Sequence, residues 1–332
     1  MAQIVIEHLS KSFRGPHGEQ IRAVDDLSLV VDPAELVTLV GPSGCGKTTT
    51  LRLVSGLDQP SSGSITIDGQ LMNGVAAKNR DIAMVYQKPA LYPHLTAREN
   101  IAFGLTLRNC PRAELDRRVA EAVEMLQLRD CLQRRPSELS GGESQRVALG
   151  RAMVRRPKVF LFDEPLANLD PQMRVQLRNQ ILRLHRQLAA TVLYVTHDNA
   201  EAMMLGSRVA VMKRGTIQQV GTRAQLGREP ANLFVASFIN SPSLNFFEGT
   251  LATDHESLYF DEKAECEGTK LEHLRLRCPL NAFLKLKNYI GKKVTVAVRP
   301  GDIRCITNSS AEPSENIIEG VIELLEPVAP GS

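Results

Sequence analysis

Several features are scarce in this 332-residue sequence, and each scarcity closes off a class of function. No uninterrupted apolar run approaches the roughly 18 residues that a membrane-crossing helix needs. The N-terminus, Met1-Ala2-Gln3-Ile4-Val5-Ile6, reads as a strand and not as a signal segment. Any membrane association is therefore expected to come through another polypeptide. The net charge is only +3, too small to point to a nucleic-acid partner. Arginines do gather between Arg117 and Arg156, but acidic residues are interleaved with them, as on a solvated helical surface. Six cysteines, at 45, 110, 131, 266, 278 and 305, show neither metal-ligand spacing nor evident pairing, which predicts a reducing compartment. There is no internal repeat. At 43% hydrophobic and 23% charged residues, the composition is that of an ordinary globular protein with length for two domains.

What is present is concentrated in short motifs. Gly41-Pro42-Ser43-Gly44-Cys45-Gly46-Lys47-Thr48 fits the phosphate-loop pattern, and the apolar run Leu36–Val40 before it predicts a buried strand. The stretch from Thr48 to Gly56 predicts a helix. The glycines let the loop bend so that its N–H groups surround a polyphosphate, with the helix dipole adding to the attraction. Lys47 is expected to reach the β- and γ-phosphates, Thr48 to ligate Mg²⁺, and Thr49 to lie in the same nucleotide site. Strand-like runs alternate with helical patterns up to about residue 235, as in a parallel α/β core. Candidate strands are Gln3–Glu7, Leu36–Val40, Ser64–Asp68, Asp81–Tyr86, Val159–Asp163, Thr191–Thr196 and Arg208–Met212. A helical insertion over about 88–157 opens with the capping box Thr96-Ala97-Arg98-Glu99, and Leu115, Val119, Ala122, Val123 and Leu126 recur on one helical face. From 236 to 332 the runs Asn245–Leu251, Ser257–Phe260, Leu274–Arg277, Lys293–Arg299, Ile303–Thr307 and Ile317–Leu325 predict a small all-β domain.

Three further signals carry chemistry. Leu139-Ser140-Gly141-Gly142-Glu143 leads into a helical pattern; Ser140 and Glu143 have capping-box spacing, and the same turn has the makings of a second anion cradle. Val159-Phe160-Leu161-Phe162 ends in Asp163-Glu164, two carboxylates at a strand end. Asp163 is suited to hold Mg²⁺ and Glu164 to polarise an attacking water. Gln87 and His197 end strands in the same way, where ligand sites of such sheets lie; a lone His197 would equally read as a packed core histidine.

The order of phosphate loop, Gln87, LSGG turn, Asp163-Glu164, Asn168-Leu169-Asp170 and Thr196-His197-Asp198 resembles that of the ATP-binding-cassette ATPases, from residue 1 to about 245. Ala90-Leu91-Tyr92-Pro93-His94-Leu95, Glu99–Phe103, Phe238–Asn245 and Val298–Ile303 are similar to segments of the ATPase subunits of maltose and glycerol-phosphate importers. The resemblance implies an α/β P-loop nucleotide-binding domain with a helical insertion, followed by a small all-β, OB-like barrel with a regulatory role. It implies ATP hydrolysis coupled to uptake of a sugar or glycerol-phosphate-like solute, with ATP and Mg²⁺ as cofactors. Polyamine, iron and sulfate importers use similar ATPases, and soluble cassette proteins are the more distant alternative. Phe13 would stack on adenine, unless it is an ordinary packed aromatic. Gln87 would sense Mg²⁺ and the attacking water, and His197 would contact the γ-phosphate. Asp170 would stand at the seam of a homodimer, with Ser140, Gly141, Gly142 and Glu143 facing the ATP of the opposite subunit. Two membrane permease subunits, an indirect periplasmic or extracellular solute-binding protein, and a peripheral place on the cytoplasmic face of the inner membrane follow from the same likeness.

The sequence departs from that family at Glu143-Ser144, where Gln and a basic or polar residue are usual, and at Ala167, where Ser is common. The C-terminal domain is expected to lack its last strands, since related domains continue well past Ile322–Glu326.

Overall fold

The computed structural model describes residues 2–16, 18–239, 244–254, 257–262, 274–278, 286–303 and 316. The chain divides into two compact units, Met1–Ser241 and Pro242–Ser332. The change of sequence pattern at 235 falls short of that division, because Leu233–Ile239 forms one continuous helix whose Val235, Ala236 and Ile239 are buried.

The first unit begins with β1 (Ile4–Arg14), β2 (Gln20–Val31) and β3 (Leu36–Val40), then α1 (Lys47–Ser55), β4 (Ser62–Ile67), β5 (Gln70–Leu71) and β6 (Ile82–Val85). Three helices follow, α2 (Ala97–Thr106), α3 (Arg112–Leu126) and α4 (Gly141–Met153), before the chain returns to the sheet as β7 (Val159–Asp163). Then come α5 (Pro171–Leu188), β8 (Thr191–Thr196), α6 (Asn199–Leu205), β9 (Arg208–Lys213), β10 (Thr216–Gly221), α7 (Arg223–Arg228) and α8 (Leu233–Ile239). A six-stranded sheet in the order β10-β9-β3-β8-β7-β6, parallel except for β10, forms the centre. A second, antiparallel sheet has the order β2-β1-β4-β5.

Strand alternation explains why the central strands read as unbroken apolar runs. In β7, Val159 and Leu161 join the core that holds Leu51, Leu53 and Val54 of α1 and Ile4 and Ile6 of β1. Phe160 and Phe162 point the other way, into the core shared with α2, α3, α4 and α5. Each such side chain contributes roughly 1.5–3 kcal/mol of burial, so a charge on either face would be costly. The helical insertion packs through Val119, Ala122, Val123 and Leu126 of α3, and its opposite face carries Arg117, which pairs with Glu114 and Glu121. Thr96 and Glu99 form the expected capping box at the start of α2.

In the second unit, β11 (Asn245–Asp254), β12 (Ser257–Glu262), β13 (Arg275–Arg277) and β14 (Lys293–Val298) make an antiparallel sheet in the order β13-β12-β11-β14. Leu251, Leu258, Phe260 and Leu274 are its buried core. Of the last two strands expected there, Ile317–Leu325 and all but Ile303 of Ile303–Thr307 lie outside the described residues.

Candidate nucleotide site

Residues 41–46 connect β3 to α1 and turn sharply enough to need glycine. Gly44 and Gly46 have φ of 76° and 109°, in the left-handed region. A Cβ on Gly46 would stand 2.2 Å from the Ala23 carbonyl oxygen, and one on Gly41 would stand 2.2 Å from that of Met212. Gly46 supplies no side-chain cap, and the first turn of α1 has no acidic residue, so its leading amides and dipole face outward unneutralised. Lys47, nearly buried, donates through Nζ to the carbonyls of Gly41 at 2.8 Å and Pro42 at 2.9 Å. Cys45 is buried beside it, and burial pushes its thiol pKa up.

A cavity of about 460 Å³ opens over this loop. Ser43, Gly44, Gly46, Lys47, Thr48 and Thr49 form its floor, while Gln87, Glu164, His197 and Ala23 form its walls. The carboxylates reach it from the end of β7. Thr48 Oγ1 donates to Asp163 Oδ1 at 2.9 Å, tying α1 to that strand. Burial raises the Asp163 pKa, the hydrogen bond from Thr48 opposes the shift, and the neighbouring Glu164 charge adds to it. Glu164 has a left-handed backbone (φ 46°), a costly conformation for a residue with a Cβ, and its N–H donates to the Val195 carbonyl at 2.9 Å. That strained step aims its carboxylate at His197, whose Nδ1 lies 2.7 Å from Glu164 Oε2. The carboxylate only accepts, so Nδ1 carries the proton of this bond.

Of the site residues expected from sequence, these ten positions except Ala23 meet in one cavity, together with Asp163 behind it. Ala23 was not anticipated; it enters through β2, a strand the sequence did not reveal. Phe13 lies outside the lining, 41% exposed on β1 with Lys11 Nζ 5.0 Å from its ring centre. The LSGG turn and Asp170 are outside it too. Ser140 caps α4 and makes a full capping box with Glu143. Asp170 caps α5 by accepting from the Met173 N–H at 2.9 Å. A buried link ties the LSGG helix to the segment carrying Gln87: Gln145 Nε2 donates to the Tyr86 carbonyl at 3.0 Å. Gln145 is a polar residue among the otherwise small and apolar buried positions of α4.

A model of the ABC transporter family matches residues 24–167. The oligosaccharides import ATP-binding protein MsmX of Bacillus subtilis (strain 168) is 46% identical over 326 residues, spanning 96% of this chain and 85% of that protein. The chain belongs to the ABC transporter ATPase family. The trehalose/maltose import ATP-binding protein MalK of Thermococcus litoralis is 46% identical, over 92% of this chain and 82% of that protein. Among solved structures, the cassette MJ0796 in a dimeric post-hydrolysis state with ADP and Pi superposes with a TM-score of 0.61 at 29% identity, covering 66% of this chain and 98% of that one. This family ATPase thus has the P-loop nucleotide-binding fold, and its helical insertion and strand-end carboxylates are parts of one cassette. Among the described residues, no helix is long and apolar enough to cross a membrane.

Proposed function

We propose that this chain is the ATP-hydrolysing subunit of an importer that takes up a sugar or glycerol-phosphate-like solute through separate membrane subunits. The hydrolytic reading is carried by one observation: Thr48–Asp163 and Glu164–His197 converge on the cavity floored by the phosphate loop. The donor set fits Mg-ATP. The uncapped start of α1 and Lys47 offer N–H groups and positive charge to phosphate, while the Thr48 hydroxyl and Asp163 carboxylate are hard oxygen donors of the kind Mg²⁺ takes. When bound, Mg²⁺ neutralises charge on the transferring phosphoryl group. Lys47 exchanges its loop carbonyls for phosphate oxygens. Glu164 orients the attacking water and receives its proton as the water oxygen bonds to the γ-phosphorus and the bond to the ADP oxygen breaks. His197 holds Glu164 in place and contacts the γ-phosphate, and Gln87 lines the same cavity. Phe13 takes the adenine.

Ser140, Gly141, Gly142 and Glu143 lie apart from the cavity, and the likeness to the cassette ATPases implies that they serve the ATP of a second copy, with Asp170 at the seam. The active unit is a homodimer with two ATPs in the seam, docked on two permease subunits at the cytoplasmic face of the membrane and served by a solute-binding protein. The importer names of MsmX and MalK support the carbohydrate assignment. The β-rich unit is an OB-like regulatory domain.

Glu164→Gln should lower the single-turnover hydrolysis rate by about 10²–10⁴-fold with nucleotide binding retained, and Mg-ATP should convert the protein from monomer to dimer by light scattering. Near-normal turnover would remove Glu164 as the base. A monomer with bound Mg-ATP would remove the sandwich. Restoration of oligosaccharide-dependent growth in a B. subtilis strain lacking MsmX tests the substrate class.

A further inference from the structure

Glu143 places a full negative charge in the turn that presents Ser140 and two glycines at the start of α4. Protonation offers no escape at neutral pH. The backbone N–H of Ser140 is the main influence holding the Glu143 carboxyl below the usual carboxylate range. The Ser140 hydroxyl and the charges of Arg134 and Arg146 act in the same direction, against a burial effect. Left alone, such a carboxylate would repel a polyphosphate brought up to the turn.

The two carboxylate oxygens are differently occupied. Oε2 accepts the Ser140 N–H at 2.8 Å, which closes the capping box. Oε1 lies 3.3 Å from Arg134 Nη1. Arg134 is itself fixed by the main chain: its N–H donates to the Cys131 carbonyl at 3.0 Å, and its carbonyl accepts the Ala97 N–H at 2.8 Å at the start of α2. The backbone of Arg134 is therefore anchored within the helical insertion, and from there its guanidinium reaches the one oxygen that the cap leaves over.

We infer that Arg134 is a positioning residue that neutralises Glu143 and so keeps the LSGG turn able to accept the polyphosphate held by a second copy of this chain; the inference rests on the sandwich proposed above. Both side chains are partly exposed, at 47% and 21%, so the pair adds little to folding, and its effect appears when a like charge approaches.

The test is a four-protein cycle built in the Glu164→Gln background: the parent, Arg134→Met, Glu143→Gln, and both together. The Mg-ATP concentration for half-maximal dimer is read by light scattering, and thermal unfolding is followed without nucleotide. Arg134→Met should raise that concentration by about three- to tenfold with Glu143 present, and by less than about twofold with Gln at 143. Nucleotide-free unfolding temperatures should stay within about 2 °C across the set, which a structural role for the pair would not allow. Equal shifts in both backgrounds, or none, would overturn the inference and leave the sandwich standing. A parent that remains monomeric with Mg-ATP bound would overturn the sandwich and this inference with it.

Discussion

Asp163 shows how a residue can be kept against the interest of the fold. It is buried at the end of β7, and its pKa is raised chiefly by that burial. A carboxyl with a folded pKa above its unfolded value binds protons more readily when folded, so stability rises as pH falls through the folded pKa toward the ordinary value of 3.8. Wherever the group is ionised in both states, its desolvation is a net cost to folding. Asp163→Asn removes the charge and retains an Oδ1 to accept from Thr48. The nucleotide-free variant should therefore melt about 2–4 °C higher at pH 7.5, an increment of about 1 kcal/mol in a unit of this size, while hydrolysis is lost. The gain should shrink as the pH falls toward the ordinary carboxyl value of 3.8 and the wild-type carboxyl takes up its proton. Melting curves of the two proteins across that range check the sign; a variant that melts lower at pH 7.5 would mean the charge is stabilised in place, with Lys47 outweighing burial.

Between elements, the phosphate-loop helix is held at its far end by one buried cation. Arg80 precedes β6, is 2% exposed, and donates to the carbonyls of Leu53 and Val54 at the end of α1 and to those of Met72 and Val75. Its pKa is lowered by burial, and the partners its hydrogen bonds find are all carbonyls. Two magnitudes compete here. Removing the guanidinium relieves a desolvation cost, but it takes a charge-assisted hydrogen bond from all four carbonyls and strands those of Val54 and Val75, at roughly 1 kcal/mol or more each, while Leu53 and Met72 still accept from the Gly56 and Val75 N–H groups. The stranded acceptors should win, and Arg80→Met should lose about 2–4 kcal/mol in urea unfolding. A loss under 1 kcal/mol would mean that water or neighbouring amides replace the guanidinium. Nothing local in the sequence announces this contact, since Arg80 and Leu53 are far apart in the chain. The same holds for Gln145 reaching Tyr86. By contrast, β3, β7 and β8 could be read to the residue, because strands buried on both faces are unbroken apolar runs. β2 and β10 could not. Gln20–Val31 is buried only at intervals and interrupted by Asp25-Asp26, and every residue of Thr216–Gly221 but the last is half-buried. The phosphate loop, the LSGG turn and Asp163-Glu164 stood out because their chemistry depends on neighbours within a few positions. Ala23 at the cavity wall did not, because it arrives on an unannounced strand.

At the scale of the whole chain, the first unit carries its own means of folding. Among the described residues, its three apolar cores draw on positions up to Ile239, and the residues lining the cavity come from the same span. The smallest of these cores joins Val40, Val209 and Val211 of the central sheet to Val235 and Ile239 of α8, so the strands next to the phosphate loop depend on that helix being whole. A fragment of residues 1–241 should therefore fold cooperatively and bind Mg-ATP. A fragment ending at 235 keeps Val235 but loses Ala236 and Ile239 and the half-buried Phe238 that packs against them. Truncating such positions costs about 2–5 kcal/mol, so the shorter fragment should melt roughly 5–15 °C lower and bind nucleotide more weakly. Calorimetry of the two fragments with and without Mg-ATP separates the possibilities. Equal melting temperatures would show that α8 contributes nothing to the sheet it covers. Failure of the 1–241 fragment to fold would show that the first unit depends on the second.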